Sequence, residues 1–180
     1  AEEPTLESLR ARIDALDAEL LRLFSARGSC AREVAEIKQQ AGAAHFYRPE
    51  REAEVLRGML ARNPGPLPDD AVAHLYRELM SACRALEQPL VVAYLGPEGT
   101  FSEAAVRQHF GHSVQGLPSS SFEDVFREVD AGNAAYGVVP IENSTEGAVT
   151  HTLDLLQVAP LRVCGELELP IHQNLLVREG

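Results

Sequence analysis

The sequence has few cysteines, few basic residues and no long apolar run. Its three cysteines, Cys30, Cys83 and Cys164, are odd in number and far apart, which favours reduced thiols over a disulfide framework or a zinc site. With 16 Lys and Arg against 27 Asp and Glu, and no basic cluster, the chain is a poor candidate for binding nucleic acid or an anionic membrane. No stretch reaches about 18 apolar residues and no basic-then-apolar leader opens the chain. We therefore expect a soluble cytoplasmic protein that needs no metal and no cofactor.

A heptad pattern organises the first 41 residues. Its residues recur at intervals of three and four, which predicts one helix over residues 5–41 with an apolar side buried against another helix. We call this set the seam; it comprises Leu6, Leu9, Ile13, Leu16, Leu20, Leu23, Arg27, Cys30, Val34, Ile37 and Ala41. At about 1.5 Å per residue the helix is roughly 55 Å long, whereas a domain of about 90 residues has a radius of gyration near 12 Å. We therefore expect a homodimer, with a second copy of the chain along the seam.

The rest of the chain predicts two more helices and then an α/β region. Helices are expected over residues 49–62 and 69–87, so that residues 1–88 form a three-helix domain. From residue 89 onward, strands alternate with helices. Strands are predicted at 90–95, 136–141, 161–168 and 171–177, and helices at 100–110, at 121–131 and up to 157. The predicted fold class is α + α/β, with an all-helical domain at 1–88 and an incomplete α/β domain at 89–180.

Arg27 is the charged member of the seam. A guanidinium in an apolar interface requires a carboxylate partner or an anionic ligand. Lys38 lies about 20° around the helix from Arg27 and roughly 16 Å further along, so the two side chains can hold one small dianion between them. Arg10 is about 25 Å from Arg27, too far to reach that ligand from the same helix, but an antiparallel dimer brings it to the partner's site. The spacing alone leaves a second interpretation open, in which Arg27 sets the register by pairing with a Glu across the interface.

Residues 5–88 resemble the all-helical class of chorismate mutase, in which three helices per chain entwine as a dimer. The resemblance runs through Leu9-Arg10, Ala15-Leu16-Asp17, Ala26-Arg27, Lys38, Arg51-Glu52 and the stretch 81–87. It implies that Arg27 and the partner subunit's Arg10 bind the two carboxylates of chorismate, that Lys38 donates to the ether oxygen, and that Glu52 holds the ring hydroxyl. The reaction is a [3,3] rearrangement, which needs a folded conformer and charge at the breaking C–O bond rather than a nucleophile. The implied substrate-binding set is Arg10, Arg27, Lys38, Arg48, Arg51, Glu52, Cys83 and Glu87, of which Arg27, Lys38 and Glu87 are the expected catalytic residues.

Three positions depart from the family pattern. Arg48 stands where the family often has an acidic residue, and Cys83 stands at a serine position and is a weaker hydrogen-bond donor. Glu87 replaces a glutamine that donates to the ether oxygen in some members, and a carboxylate cannot donate. We therefore predict that Glu87 acts in its protonated form, because burial disfavours the charged carboxylate.

Two loops of the α/β region, at 96–102 and 142–147, each follow a predicted buried strand, where open α/β sheets bind ligands. Each loop alone is more typical of ordinary turn chemistry than of a binding site. The stretches 94–105 and 137–149, however, resemble the beginning of prephenate dehydratase, a two-lobed fold similar to the periplasmic binding proteins. The resemblance implies that one wall of the substrate cleft is formed by Thr100, Ser102, Asn143, Ser144 and Thr145. The family's Thr-Arg-Phe signature, which carries its catalytic threonine, is not among the 180 residues.

Mutase followed by dehydratase is the order of the bifunctional enzymes that begin phenylalanine synthesis. We therefore expect these residues to bind chorismate and prephenate, to retain the mutase and to lack dehydratase turnover. The alternative is a non-catalytic helical dimerisation scaffold joined to a small-anion-binding regulatory lobe. Convergence of Arg10, Arg27 and Lys38 on one pocket favours the enzyme, whereas pairing of Arg27 with a Glu across a dry interface favours the scaffold.

Overall fold

The computed structural model describes residues 4–41, 48–145, 147–172 and 177. These residues divide into two compact units, the first comprising Ala1–Leu90 with Gly111–Ser113 and the second Val91–Phe110 with Val114–Gly180. Among the described helices, none has the length and the apolar run that crossing a bilayer requires.

The first unit is built on the long helix α1, Leu6–Gln40. Its N-terminus is capped by Thr5, whose side chain accepts a hydrogen bond from the Ser8 N–H at 3.1 Å, and Glu7 lies in the first turn. Lys38 lies in the last turn, where a cation is favoured by the helix dipole. The prediction of a helix over 5–41 is thus confirmed to within one residue at each end.

Two shorter helices complete the first unit. Helix α2 spans Pro49–Leu60 and begins at its proline, and α3 spans Asp69–Glu87. Helix α3 packs against both α1 and α2. A Cβ atom at Gly28 of α1 would lie 3.3 Å from Leu86 Cδ1, so α1 and α3 approach closely at this glycine. Both short helices confirm the prediction, apart from two residues at the end of α2.

The seam of α1 is exposed in the single chain. Leu6 is 65% exposed, Leu16 62% and Ile37 65%. Among the residues of α1, all of which are described, the buried ones are Gly28 and Ala35. Contacts within one chain therefore leave the apolar side of this helix in water.

A parallel three-stranded sheet forms the second unit. Its strands are β1, Val91–Leu95, β2, Gln115–Ser119, and β3, Tyr136–Val138, in the order β2-β1-β3. Helix α4, Phe101–Phe110, connects β1 to β2, and α5, Phe122–Asp130, connects β2 to β3. The core forms where α5 covers the sheet, around Ala93, Val125 and Ala134. The predicted strand at 90–95 and the helices at 100–110 and 121–131 are confirmed.

The second unit also contains elements that the sequence did not predict. Strand β2 contains Gly116 and Pro118, which are depleted in strands, but it is an edge strand, where proline is tolerated. Gly116 is needed there because a Cβ atom would lie 2.9 Å from the buried ring of Tyr94. Glu142–Asn143 and Gly147–Ala148 form a small antiparallel pair, β4 and β5, before helix α6, Thr150–Val158.

Two strand predictions need correction. The predicted strand 136–141 is shorter, ending at Val138. The predicted strand 161–168 is wrong, because residues 159–172, all described, contain no strand. Their apolar spacing is that of a strand, but a strand also requires a neighbour to share its backbone hydrogen bonds. Among the described residues, β1, β2 and β3 pair only with one another. Of the predicted strand 171–177, residues 173–176 lie outside the described part, and 171, 172 and 177 are not in a strand.

Candidate functional site

Two ion pairs connect the three helices of the first unit. Lys38 Nζ of α1 donates to Glu87 Oε2 of α3 at 3.1 Å, and Arg84 of α3 donates to Glu52 of α2. The partners are 49 and 32 residues apart in sequence, so each pair depends on the fold. We call these four side chains, together with Arg27, the charged cluster.

The charged cluster is largely withdrawn from water. The side chain of Arg84 is 7% exposed, and those of Lys38, Glu52 and Glu87 are each less than a quarter exposed. Charges desolvated to this degree interact strongly and require partners, unlike the exposed Arg22–Glu19 pair of α1. Cationic and anionic groups in such a setting are suited to binding a charged polar ligand, since the ligand's charges can replace those of the resident partners.

The electrostatics of Glu52 show which charges lie near it. Burial raises the pKa of the Glu52 carboxyl, and the negative charge of Glu87 adds to this rise. The positive charges of Arg84 and Arg27 act in the opposite direction and lower the pKa of Glu52. Arg27 and Glu87 therefore both act on Glu52, although they come from different helices. The carboxyl whose pKa burial raises is that of Glu52, and the protonated form of Glu87 stays a prediction.

The structure brings four of the predicted substrate-binding residues, Arg27, Lys38, Glu52 and Glu87, into one region of the helical unit. Cys83 is buried on α3, next in sequence to Arg84. Arg10 is exposed, 17 residues before Arg27 and therefore about 25 Å away along α1. Arg48 is exposed just before α2, and Arg51 forms an exposed ion pair with Glu54 at 2.6 Å. Within the described residues, the side chains of Arg10, Arg48 and Arg51 form no ion pair with the cluster.

Sequence reasoning missed Arg84. Its position carries a signal, since Ala73, Met80 and Arg84 are spaced seven and four apart, and all three are buried on one side of α3. Leu75 and Leu86, which are apolar residues of the same helix, are 57% and 54% exposed, so apolar character alone does not identify the buried side. An arginine on a buried helix side indicates a buried carboxylate partner, which here is Glu52.

The two loops of the second unit follow neighbouring parallel strands. Thr100 lies after β1, where its hydroxyl donates to the Leu95 carbonyl at 3.2 Å and accepts from the Glu103 N–H at 3.4 Å. Asn143 Oδ1 accepts from the Thr145 N–H at 2.8 Å within the turn between β4 and β5. Ser102 is half-buried, and Ser144 is exposed. These contacts stabilise the loops, and the role of the five residues in binding a substrate stays a prediction.

Metal-binding side chains do not gather in the described residues: no three of their His, Cys, Asp or Glu side chains are placed to hold one ion.

Comparison with known proteins assigns both parts of the chain. The family model for chorismate mutase type II matches residues 9–88, and the model for prephenate dehydratase matches residues 92–180. The chain therefore belongs to the family in which a chorismate mutase type II domain is followed by a prephenate dehydratase domain.

Relatives along the whole chain carry both names. The chain is 56% identical over 183 residues to a bifunctional chorismate mutase/prephenate dehydratase of Stutzerimonas stutzeri, and the match covers 99% of this chain and 50% of that protein. A protein of the same name from Pseudomonas aeruginosa is 55% identical, with the same coverage. A chorismate mutase structure from Thermus thermophilus is 37% identical, covers 43% of this chain and 96% of that one, and has a TM-score of 0.42. The chain thus spans about half the length of the curated relatives it matches.

Proposed function

We propose that this chain is a chorismate mutase that converts chorismate to prephenate in phenylalanine biosynthesis. The observation that carries the proposal is the charged cluster, in which cations and carboxyls from three helices meet in a partly desolvated site. We assign the mutase to residues 1–88 and a dehydratase lobe to residues 89–180.

The charged cluster suits the chemistry of the rearrangement. The flexible dianionic substrate must be held in a folded conformer, and negative charge develops on the ether oxygen as the C–O bond breaks. Arg27 binds one carboxylate, Lys38 donates to the ether oxygen, and Glu52 accepts from the ring hydroxyl. To do this, Lys38 exchanges its contact with Glu87 for one with the substrate. Arg48, Arg51 and Cys83 complete the proposed site at its edge.

The enzyme is proposed to act as a homodimer. The exposed seam of α1 supports this, because an apolar stripe along a 35-residue helix is unfavourable in water and is suited to burial against a second copy. In an antiparallel arrangement, Arg10 of the partner subunit reaches the cluster and binds the second carboxylate. No nucleic acid or membrane partner is proposed. The free thiols of Cys30, Cys83 and Cys164 fit a location in the reducing cytoplasm.

In the second unit, Thr100, Ser102, Asn143, Ser144 and Thr145 are proposed to line one side of a cleft that binds prephenate. They lie at or beyond the carboxyl ends of neighbouring parallel strands, where α/β sheets place their ligands. We propose that residues 1–180 bring about no dehydratase turnover by themselves, because they lack a Thr-Arg-Phe sequence.

The proposal is tested by incubating the purified chain with chorismate and quantifying chorismate, prephenate and phenylpyruvate over time. We expect chorismate to be converted to prephenate, with no phenylpyruvate. Arg27→Ala is expected to lower kcat/KM by about 10²-fold or more, since it removes a charged contact to the substrate. Arg22→Ala, which breaks an exposed ion pair on the same helix, is the matched control. A folded dimer without turnover would refute the mutase, and phenylpyruvate formation would refute the proposal that residues 1–180 lack dehydratase turnover.

A further inference from the structure

Arg84 is a buried charge that the roles assigned above do not use. Its guanidinium donates to Oε1 of Glu52 from the neighbouring helix. The other oxygen of this carboxylate, Glu52 Oε2, accepts no hydrogen bond from the described residues. The contact thus fixes one carboxylate oxygen and leaves the other available as an acceptor.

A buried guanidinium restrains a carboxylate in two ways. The planar N–H groups of arginine give the carboxylate a defined orientation, and the permanent positive charge favours its ionised form. An ionised carboxylate accepts a hydrogen bond from a hydroxyl at either oxygen, whereas a protonated carboxyl must place its own proton first. Both restraints matter for a group that must accept from a hydroxyl of the substrate.

We propose that Arg84 is a positioning residue that keeps Glu52 ionised and aims its free oxygen at the ring hydroxyl of chorismate. This inference rests on the proposed mutase function and deepens it. Arg84 acts through Glu52 and does not touch the substrate.

The charges around Glu52 define what the loss of Arg84 does. Arg84 and Glu87 act on Glu52 from α3, and Arg27 acts from α1, where Lys38 is paired with Glu87. Burial and Glu87 raise the pKa of Glu52, while Arg84, which also hydrogen-bonds to it, and Arg27 lower it. Without Arg84, the opposing cation is Arg27, which is proposed to bind a substrate carboxylate. Glu52 then holds its proton to higher pH, so activity that needs the ionised form is lost over a wider acidic range.

The experiment compares Arg84→Gln, which removes the charge, with Arg84→Lys, which keeps it, and with Glu52→Gln. Values of kcat and KM for chorismate are measured between pH 5 and 8 at constant ionic strength. The titration of Glu52 in the ligand-free protein is followed separately by carboxyl-carbon NMR, with Glu52→Gln used to assign the resonance. Arg22→Gln serves as the control for loss of an ion pair outside the cluster.

We expect kcat/KM of Arg84→Gln, relative to wild type, to fall several-fold more at pH 5.5 than at pH 8, because loss of Arg84 raises the pKa of Glu52 and moves the acidic limb to higher pH. Arg84→Lys is expected to keep the acidic limb and to raise KM, since it keeps the charge but not the planar guanidinium that orients Glu52 through Oε1. Combining Arg84→Gln with Glu52→Gln is expected to add nothing to the pH dependence of Glu52→Gln.

A uniform loss across the pH range, with the Glu52 titration unchanged, would overturn the proposal and leave Arg84 a structural role. If circular dichroism shows that Arg84→Gln does not fold, Arg84→Lys tests the proposal instead. A KM of Arg84→Lys that is unchanged from wild type would then overturn the proposal. If wild type lacks turnover, the mutase fails, but the NMR titration still shows whether Arg84 controls Glu52.

Discussion

Lys38 and Glu87 form a contact that a substrate bound in the proposed site would break. In the substrate-free chain the ammonium of Lys38 donates to the carboxylate of Glu87, which neutralises both charges in a half-buried place. If a dianionic substrate replaces Glu87 as the partner of Lys38, Glu87 is left without its cation and beside additional negative charge. Like charges at short distance disfavour the ionised form, so Glu87 is expected to take up a proton as the substrate binds. The ion pair of the free protein and a protonated Glu87 in the complex are therefore compatible.

The replacement Glu87→Gln tests whether Glu87 acts in its protonated form. Because the protonated carboxyl donates to the ether oxygen and the carboxylate cannot, wild-type kcat is expected to fall as the pH rises through the neutral range. Glutamine donates at every pH, so kcat of the variant should not fall as the pH rises through the neutral range. The measurement is kcat for chorismate from pH 5 to 9. A wild-type kcat that is already constant over this range would rule out the role of Glu87.

At the scale of elements, the periodicity of the sequence predicted the helices, which depend on one segment. It was less successful with the strands, which depend on pairing between two segments. The spacing of the seam predicted α1 to within one residue at each end, and α2 ends two residues earlier than predicted. Strand β2 was missed because its Gly116 and Pro118 are favourable only beside the ring of Tyr94 and at a sheet edge. Residues 161–168 were predicted as a strand from a pattern that does not reveal whether a neighbour exists. In the site, Arg27, Lys38, Glu52 and Glu87 were predicted, whereas Arg84 needed knowledge of which side of α3 is buried.

Two glycines in different elements are expected to respond oppositely to alanine. A Cβ atom at Gly137 of β3 would lie 2.9 Å from Val125 Cγ1 and 3.1 Å from Val129 Cγ2, both on α5. Because Val125 is 1% exposed and cannot move aside, Gly137→Ala should lower the free energy of unfolding by about 1–3 kcal/mol. At Gly58 of α2 the nearest contact belongs to the Arg62 guanidinium, at 3.6 Å, so an added Cβ atom has room. Gly58→Ala should therefore raise the free energy of unfolding by up to about 1 kcal/mol through helix propensity.

Urea unfolding at one protein concentration, followed by far-ultraviolet circular dichroism, measures both changes. An unchanged midpoint for Gly137→Ala would show that α5 does not pack on β3 as described.

At the scale of the whole molecule, the distribution of the cations is the reason why we expect the proposed site to depend on two chains. Arg27 and Lys38 lie within one half of α1, while Arg10 lies near its other end, and the seam between them is exposed. A symmetric dimer along the seam places the same surface of both chains in contact and produces two equivalent sites. Each site then takes Arg27, Lys38, Glu52 and Glu87 from one chain and Arg10 from the other.

Mixing two inactive variants tests this arrangement. Arg10→Ala and Arg27→Ala are each expected to lose nearly all activity as homodimers, because every site lacks one of the two carboxylate-binding arginines. After unfolding and refolding together in equal amounts, half of the dimers are hybrids, and each hybrid has one site with both arginines and one site with neither. The mixture should therefore recover about a quarter of the wild-type kcat per chain, given random pairing in a symmetric dimer. Sedimentation velocity checks that the variants and the mixture are dimers. Activity no higher than the mean of the two separate variants would show that Arg10 and Arg27 do not serve a site shared between chains, and the seam would then be a scaffold without a catalytic role.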